Sequence, residues 1–241
     1  MLLQLAIDCF TLEEALQIVE ETADIINIVE AGTPLILREG ISAVQSLRSR
    51  FPALRIVADM KIIDGAEYES RLAFDAGADV VTVLGAADNR TVHLAKSTAE
   101  EYGREVMVDM IGIGEVAERA RELDTLGVEL FCVHRTTDQR EATDRSETTD
   151  RREGVPLGRV PSGIVPLGTT DLETRNSAVL AELEEVKRAV PHARIAIAGG
   201  IDLHILQSIS GAKPDIAIVG SFITNSENRR EAALTIKNSM K

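Results

Sequence analysis

Cysteine is scarce in this sequence: Cys9 and Cys132 are the only two among 241 residues, and neither belongs to a CxxC pair. Cys132 and His134 alone are too few ligands for a zinc site, and no disulfide framework is indicated. Both cysteines lie in or beside apolar segments and read as buried cytosolic thiols, so the cytoplasm is the expected compartment. Positive charge is also short. Lys and Arg total 26 against 39 Asp and Glu, a formal charge of −13. Most of such a surface repels phosphate backbones and anionic lipid, so neither nucleic acid nor a membrane is expected as partner. No apolar run approaches the length of a membrane span. The opening MLLQLAIDCFTLEE lacks a basic leader, and its apolar stretch meets Asp8 too soon for a signal peptide.

What the sequence does have is enough apolar material, 44% of residues, to fill one sizeable core, and residues 1–241 are expected to form one domain. Short apolar runs alternate with segments of helical period. Strands are expected at Leu3 to Asp8, Ile25 to Glu30, Arg55 to Lys61, Val80 to Leu84, Glu105 to Met110, Glu129 to His134, Arg194 to Ala198 and Ile216 to Gly220. Helices are expected between them, at Leu12 to Glu21, Ile41 to Phe51, Glu67 to Ala76, Arg90 to Tyr102, Val116 to Leu126, Ala178 to Val190, His204 to Ile209 and Arg229 to Met240. Eight such βα units predict an α/β fold of the TIM (β/α)8 barrel type. A doubly wound open sheet is the alternative, but no Gly-rich dinucleotide turn follows the first strand. From Thr136 to Asn176 the rhythm fails: TTD recurs at Thr136, Thr148 and Thr169, and VPLG at Val155 and Val165. This stretch is expected to be a long irregular insertion between strands six and seven.

In a parallel barrel the C-terminal strand ends converge on one mouth. Asp8, Glu30, Asp59 with Lys61, and His134 each follow an apolar run there. One such residue is ordinarily a helix cap or a rim charge; several together point to a site. Asp59 and Lys61 are two apart and so share a strand face. Glu30 and Asp59, from adjacent strands, offer two hard carboxylates that suit Mg²⁺, or else form a core network with Lys61. Gly199 and Gly200 after strand seven, and Gly220 with Ser221 after strand eight, would let backbone amides approach a phosphate.

With those residues in place, QLAID, VEAGTPLI, ADMKIIDGAEYE, VTVLGAAD, VMVDMI, AIAGGI and IVGSFIT together resemble the 3-hexulose-6-phosphate synthases of the orotidine-monophosphate-decarboxylase superfamily, over nearly the whole length. The resemblance implies that Glu30 and Asp59 hold Mg²⁺, that Asp8, Lys61 and Asp64 contact substrate, and that His134 handles a proton. It implies a homodimer in which Asp64 acts across the interface. The expected reaction is the Mg²⁺-assisted, reversible aldol condensation of D-ribulose 5-phosphate with formaldehyde through an enediolate. The related 3-keto-L-gulonate-6-phosphate decarboxylases share the DxKxxD acids and lysine. Here HRTTDQ begins as theirs does, with HR, but Thr137 stands where they carry a functional arginine, and Ser221 where they tend to carry another. The synthase is therefore the favoured member.

Two other readings remain open on the residues. A lysine near a barrel strand end forms a Schiff base when its pKa is depressed; flanking Asp59 and Asp64 are expected to keep Lys61 protonated. The irregular stretch beside His134 also admits a barrel that binds sugar phosphates without catalysis.

Overall fold

The computed structural model describes residues 1–135, 172–209 and 211–240, with side chains of 172–178 excepted. Most of the expected insertion, 136–171, lies outside the described residues. Eight parallel strands close in sequence order: β1 (Leu2–Ile7), β2 (Ile28–Ala31), β3 (Arg55–Ile62), β4 (Val80–Leu84), β5 (Glu105–Asp109), β6 (Leu130–His134), β7 (Arg194–Ala198) and β8 (Ile216–Val219). Leu2 of β1 pairs with Ile216 of β8, which closes the cylinder and removes the open-sheet alternative.

The described helices are α1 (Leu12–Thr22), α2 (Thr33–Glu39), α3 (Ser42–Arg50), α4 (Ala66–Asp75), α5 (Asn89–Tyr102), α6 (Val116–Asp124), α7 (Leu172–Ala189), α8 (Leu203–Ser208), α9 (Ser221–Thr224) and α10 (Arg229–Ser239). Helix α7 begins at Leu172, earlier than the expected Ala178, and so takes in the end of the stretch read as irregular. Helix α2 was not expected, because LILREG is too short to declare a period. It is set by Gly32 at its N-cap and Pro34 in its first turn, where proline's missing N–H costs nothing. A Cβ at Gly32 would lie 2.2 Å from Asp8 Oδ1 and 2.5 Å from the Ile7 carbonyl, so the turn needs glycine to pass this close to β1.

Strand alternation divides the core into two shells. Leu3, Leu5 and Ile7 of β1 face outward into the layer between barrel and helices, the larger apolar cluster. The inward positions form a second cluster down the axis that includes Ala6, Ile28, Val57, Val80, Met107 and Leu130. Two residues further along those strands stand Asp8, Glu30, Asp59, Thr82, Asp109 and Cys132, so the inner face changes from apolar to polar toward the C-terminal mouth. Buried apolar layers stabilise the cylinder, and the last layer is left for chemistry.

Candidate active site

The mouth opens into a cavity of about 840 Å³ lined by Asp8, Glu30, Asp59, Lys61, Asp109 and His134, together with Gly199, Gly200, Gly220 and Ser221. Nine of the ten sequence-predicted site residues thus meet in one space. Asp64 does not: it is exposed beyond β3, and its Oδ1 accepts the Gly65 amide proton at 2.8 Å. Cys132 is buried as expected, but Cys9 is only half-buried on the cavity rim, because it lies beyond β1 in the turn to α1.

The register explains the grouping. Glu30 pairs with Ala6 on one side and Val57 on the other, so Asp8 and Asp59 flank it one inward step nearer the mouth. Asp59 is held by three donors. Thr82 Oγ1 donates to Oδ1 at 2.8 Å, while Thr33 Oγ1 at 2.8 Å and Lys61 Nζ at 2.5 Å donate to Oδ2. Asp59 and Lys61 do meet, though not on a regular pleat. The β3–β4 register shifts between Ala58 and Ile62, and Lys61 has φ of +48°, a left-handed conformation rare for a residue with a Cβ. Its amide donates to Thr82 Oγ1 at 2.9 Å rather than to a strand carbonyl.

Asp109 is the residue that sequence reasoning missed. Both of its oxygens lie against His134 Nδ1, at 2.8 and 3.0 Å, and Lys61 Nζ is 3.5 Å from Oδ2. A nitrogen facing two carboxylate oxygens donates its proton there, which orients the ring and, in the neutral imidazole, makes Nε2 the acceptor. The signal was in VMVDMI: placing the end of strand five at Met110 hid the fact that Asp109 is the inward, strand-terminal residue, like Asp59 and His134.

The electrostatics follow from burial and company. Burial pushes the Glu30 carboxyl well above its ordinary range, and the charges of Asp59 and Asp8 push the same way. Asp8 is raised by burial and by Asp59. For Lys61 burial alone would lower the pKa, but the charges of Asp59, Asp109 and Glu30 outweigh it and hold the ammonium above its usual value. A Schiff-base lysine needs the opposite shift. Its second partner is Asp109, not the expected Asp64. Asp109 itself, opposed by burial, is carried below the carboxylate range by the His134 hydrogen bond and by the charges of His134 and Lys61.

A divalent cation fits this donor set. Five acids, Asp8, Glu14, Glu30, Asp59 and Asp109, share the cavity with Lys61 and His134, so carboxylates outnumber cationic partners. Asp59 spends three of about four lone-pair positions on Thr33, Thr82 and Lys61, leaving room for one more contact. Gln4 Nε2 donates to Glu30 Oε2, while Gln4 Oε1 is buried without a partner, a polar defect beside the carboxyl. Glu30 and Asp59 could hold Mg²⁺, which takes few protein oxygens and keeps water or substrate in its remaining positions.

Gly199 and Gly200 take φ of +96° and +71° after β7. A Cβ at Gly199 would lie 2.3 Å from the Arg135 carbonyl, so only glycine fits between β7 and the end of β6. After β8, Gly220 caps the short α9, the arrangement in which barrels carry a phosphate on the last two loops.

Residues 1–236 match the orotidine 5′-phosphate decarboxylase / HUMPS family. This chain belongs to that family. Within the HUMPS family it is 36% identical over 235 residues to the 3-hexulose-6-phosphate synthase of Bacillus subtilis (strain 168), covering 98% of this chain and 96% of the relative. The crystal structure of 3-hexulose-6-phosphate synthase from Salmonella typhimurium superposes with a TM-score of 0.81 at 34% identity, covering 100% of this chain and 98% of that one. The 3-keto-L-gulonate-6-phosphate decarboxylase of Vibrio cholerae O1 biovar El Tor str. N16961 stands further off. Its identity is 26% and its TM-score 0.77, covering 99% of this chain and 96% of that one. These family members bear out the expected synthase resemblance, the barrel and a lyase-type enzyme; the decarboxylase is the more distant neighbour. Among the described residues no helix is long and apolar enough to cross a membrane.

Proposed function

We propose that this chain is a cytoplasmic 3-hexulose-6-phosphate synthase, joining D-ribulose 5-phosphate to formaldehyde in a reversible aldol reaction. The observation that carries the proposal is the row Asp59, Lys61, Asp109, His134: an ammonium between two carboxylates, the second of which orients an imidazole. The backbone amides around Gly199, Gly200, Gly220 and Ser221 bind the substrate phosphate. His134, its Nδ1 proton held by Asp109, uses Nε2 to take the proton from the carbon beside the ketone. The Lys61 ammonium stabilises the negative oxygen of the resulting enediolate, and Asp8 orients substrate hydroxyls. The enediolate carbon attacks formaldehyde, and the proton stored on His134 passes to the new alkoxide oxygen, so the acid–base cycle closes. When bound at Glu30 and Asp59, Mg²⁺ would supply Lewis-acid polarisation of the substrate oxygens.

Asp64 enters through a second copy. It stands beside Ile63, Tyr68 and Leu72, large apolar side chains that are 52%, 72% and 40% exposed, a surface suited to burial in a homodimer. An Asp64→Asn subunit mixed with a Lys61→Ala subunit should then recover part of the lost activity, since one cavity of the hybrid is intact.

The test of the main reading is direct. Turnover of ribulose 5-phosphate with formaldehyde should vanish in EDTA and return with Mg²⁺, and borohydride should trap no substrate on Lys61. Trapping at Lys61 overturns the enediolate mechanism. Binding of ribulose 5-phosphate without condensation would instead support the non-catalytic barrel, and turnover of 3-keto-L-gulonate 6-phosphate the decarboxylase.

A further inference from the structure

The cavity holds a second group of potential ligands that the aldol chemistry uses differently. Among the described residues, one ligand atom each from Asp109, Cys132 and His134 lie within 4.8 Å of one another. Cys132 and His134 are two apart on β6 and both face the cavity, and Cys132 is directly paired with Asp109 in the β5–β6 register. The zinc reading set aside for want of ligands thus gains the third that the sequence did not reveal.

We propose that Asp109, Cys132 and His134 form a metal site for a borderline-soft divalent ion such as Zn²⁺, and that its occupation switches the enzyme off. The donor set decides the ion: thiolate and imidazole with one carboxylate suit Zn²⁺ and are poor ligands for Mg²⁺. Three protein ligands leave a fourth tetrahedral position, and the cavity is where it opens. Lys61 does not block the site, because Asp59 holds its Nζ at 2.5 Å while Asp109 is 3.5 Å away. On binding, the Cys132 thiol proton is released to solvent and the sulfur bonds the metal as thiolate.

The switching effect rests on the proposed role of His134 as base. With Asp109 at 2.8 Å, Nδ1 is the nitrogen that donates, and Nε2 is the one left to act as base in the proposed reaction. An ion bonded to Nδ1 takes that position, and the neutral ring then carries its proton on Nε2. Such a histidine cannot accept a proton, and Asp109 is no longer its partner. The ion thus disables the base without displacing Mg²⁺ from Glu30 and Asp59.

The experiment uses the full-length protein in saturating Mg²⁺. Cd²⁺, the spectroscopic stand-in for Zn²⁺, is titrated in while the ultraviolet thiolate-to-metal charge-transfer absorbance is followed. Zn²⁺ inhibition of turnover is measured beside it on wild type, Cys132→Ser and Cys132→Ala. Wild type should show one equivalent of charge-transfer absorbance and Zn²⁺ inhibition reversible by chelator. Both variants should lose the absorbance and need at least ten-fold more Zn²⁺ for half-inhibition. Two variants of different polarity guard against a packing artefact, and circular dichroism of each confirms folding. Absent charge transfer in wild type, Cys132-independent inhibition, or inhibition relieved by more Mg²⁺ would each overturn the proposal. The absorbance does not depend on turnover, so failure of the synthase assignment leaves the metal site separately decided.

Discussion

Glu30 is the place where function and stability should part most clearly. Its carboxyl is buried, raised well above the carboxylate range by burial and by Asp59 and Asp8, and faces a glutamine whose Oε1 has no partner. Replacing it as Glu30→Gln removes the charge and adds an amide that can donate to Gln4 Oε1. Satisfying one buried acceptor is worth about 1–3 kcal/mol. At about 2–4 °C per kcal/mol for a domain of this size, the metal-free variant should melt on the order of 2–12 °C higher than wild type.

The pH dependence has a definite sign. A carboxyl whose folded pKa is raised binds its proton more tightly when folded, so its contribution is fully present below the unfolded pKa and is lost as pH rises through the folded one. The melting advantage of Glu30→Gln in EDTA should therefore widen from acid toward pH 8. Mg²⁺ offsets this advantage: it stabilises wild type by about 2.7 kcal/mol at a hundred times its dissociation constant, and the variant hardly at all. Turnover should fall about 10²-fold or more, the equivalent of about 3 kcal/mol in the barrier. Scanning fluorimetry across pH, with EDTA and with Mg²⁺, reads all of this. A variant less stable than wild type in EDTA, or one that keeps its Mg²⁺ stabilisation, would refute the assignment of Glu30 as a strained metal ligand.

Three further variants have expected outcomes. Asp109→Asn removes the acceptor that fixes the His134 tautomer, so kcat should drop about 10²–10⁴-fold with little change in KM, read by steady-state kinetics. Because Asp109 is held below the carboxylate range, its stability contribution is present above that range and lost on acidification; the variant should therefore lose less stability than wild type between neutral and acid pH. Thr82→Val deprives Asp59 of one of its three donors and should weaken Mg²⁺ about 10-fold by calorimetry, as loss of a support behind a metal ligand generally does. Gly199→Ala forces a side chain into a φ of +96° and against the Arg135 carbonyl, so KM for ribulose 5-phosphate should rise about 10-fold, with about 1–2 kcal/mol of stability lost to the backbone alone.

The barrel was legible because its signals repeat. Val80 to Leu84 and Arg194 to Ala198 have the bounds the sequence indicates, and each strand is a short apolar run with a polar terminus. That polar strand ends and glycine turns gather at one mouth was legible for the same reason, with Glu30 and Asp59 brought to one cavity from adjacent strands. Asp109 was lost through a one-residue error in a strand end, which put the outward Met110 in place of the inward Asp109 at the mouth. Helix α2 was lost because its seven residues are too few to declare a period, although Gly32 and Pro34 mark its start.

The bulge in β3 belongs to a third kind of information. Nothing in ADMKIIDG asks a lysine to adopt a left-handed backbone, and on its own such a conformation costs about 1–3 kcal/mol. Thr82 supplies the compensation from the neighbouring strand. Its hydroxyl accepts the Lys61 amide at 2.9 Å and donates to Asp59 Oδ1 at 2.8 Å. One oxygen thereby satisfies the amide that the bulge takes off the ladder and fixes the carboxylate that Lys61 pairs with. Backbone strain and side-chain electrostatics are thus joined at a single threonine, which is why the pairing of Asp59 with Lys61 survives a break in the regular strand that was the original reason to expect it.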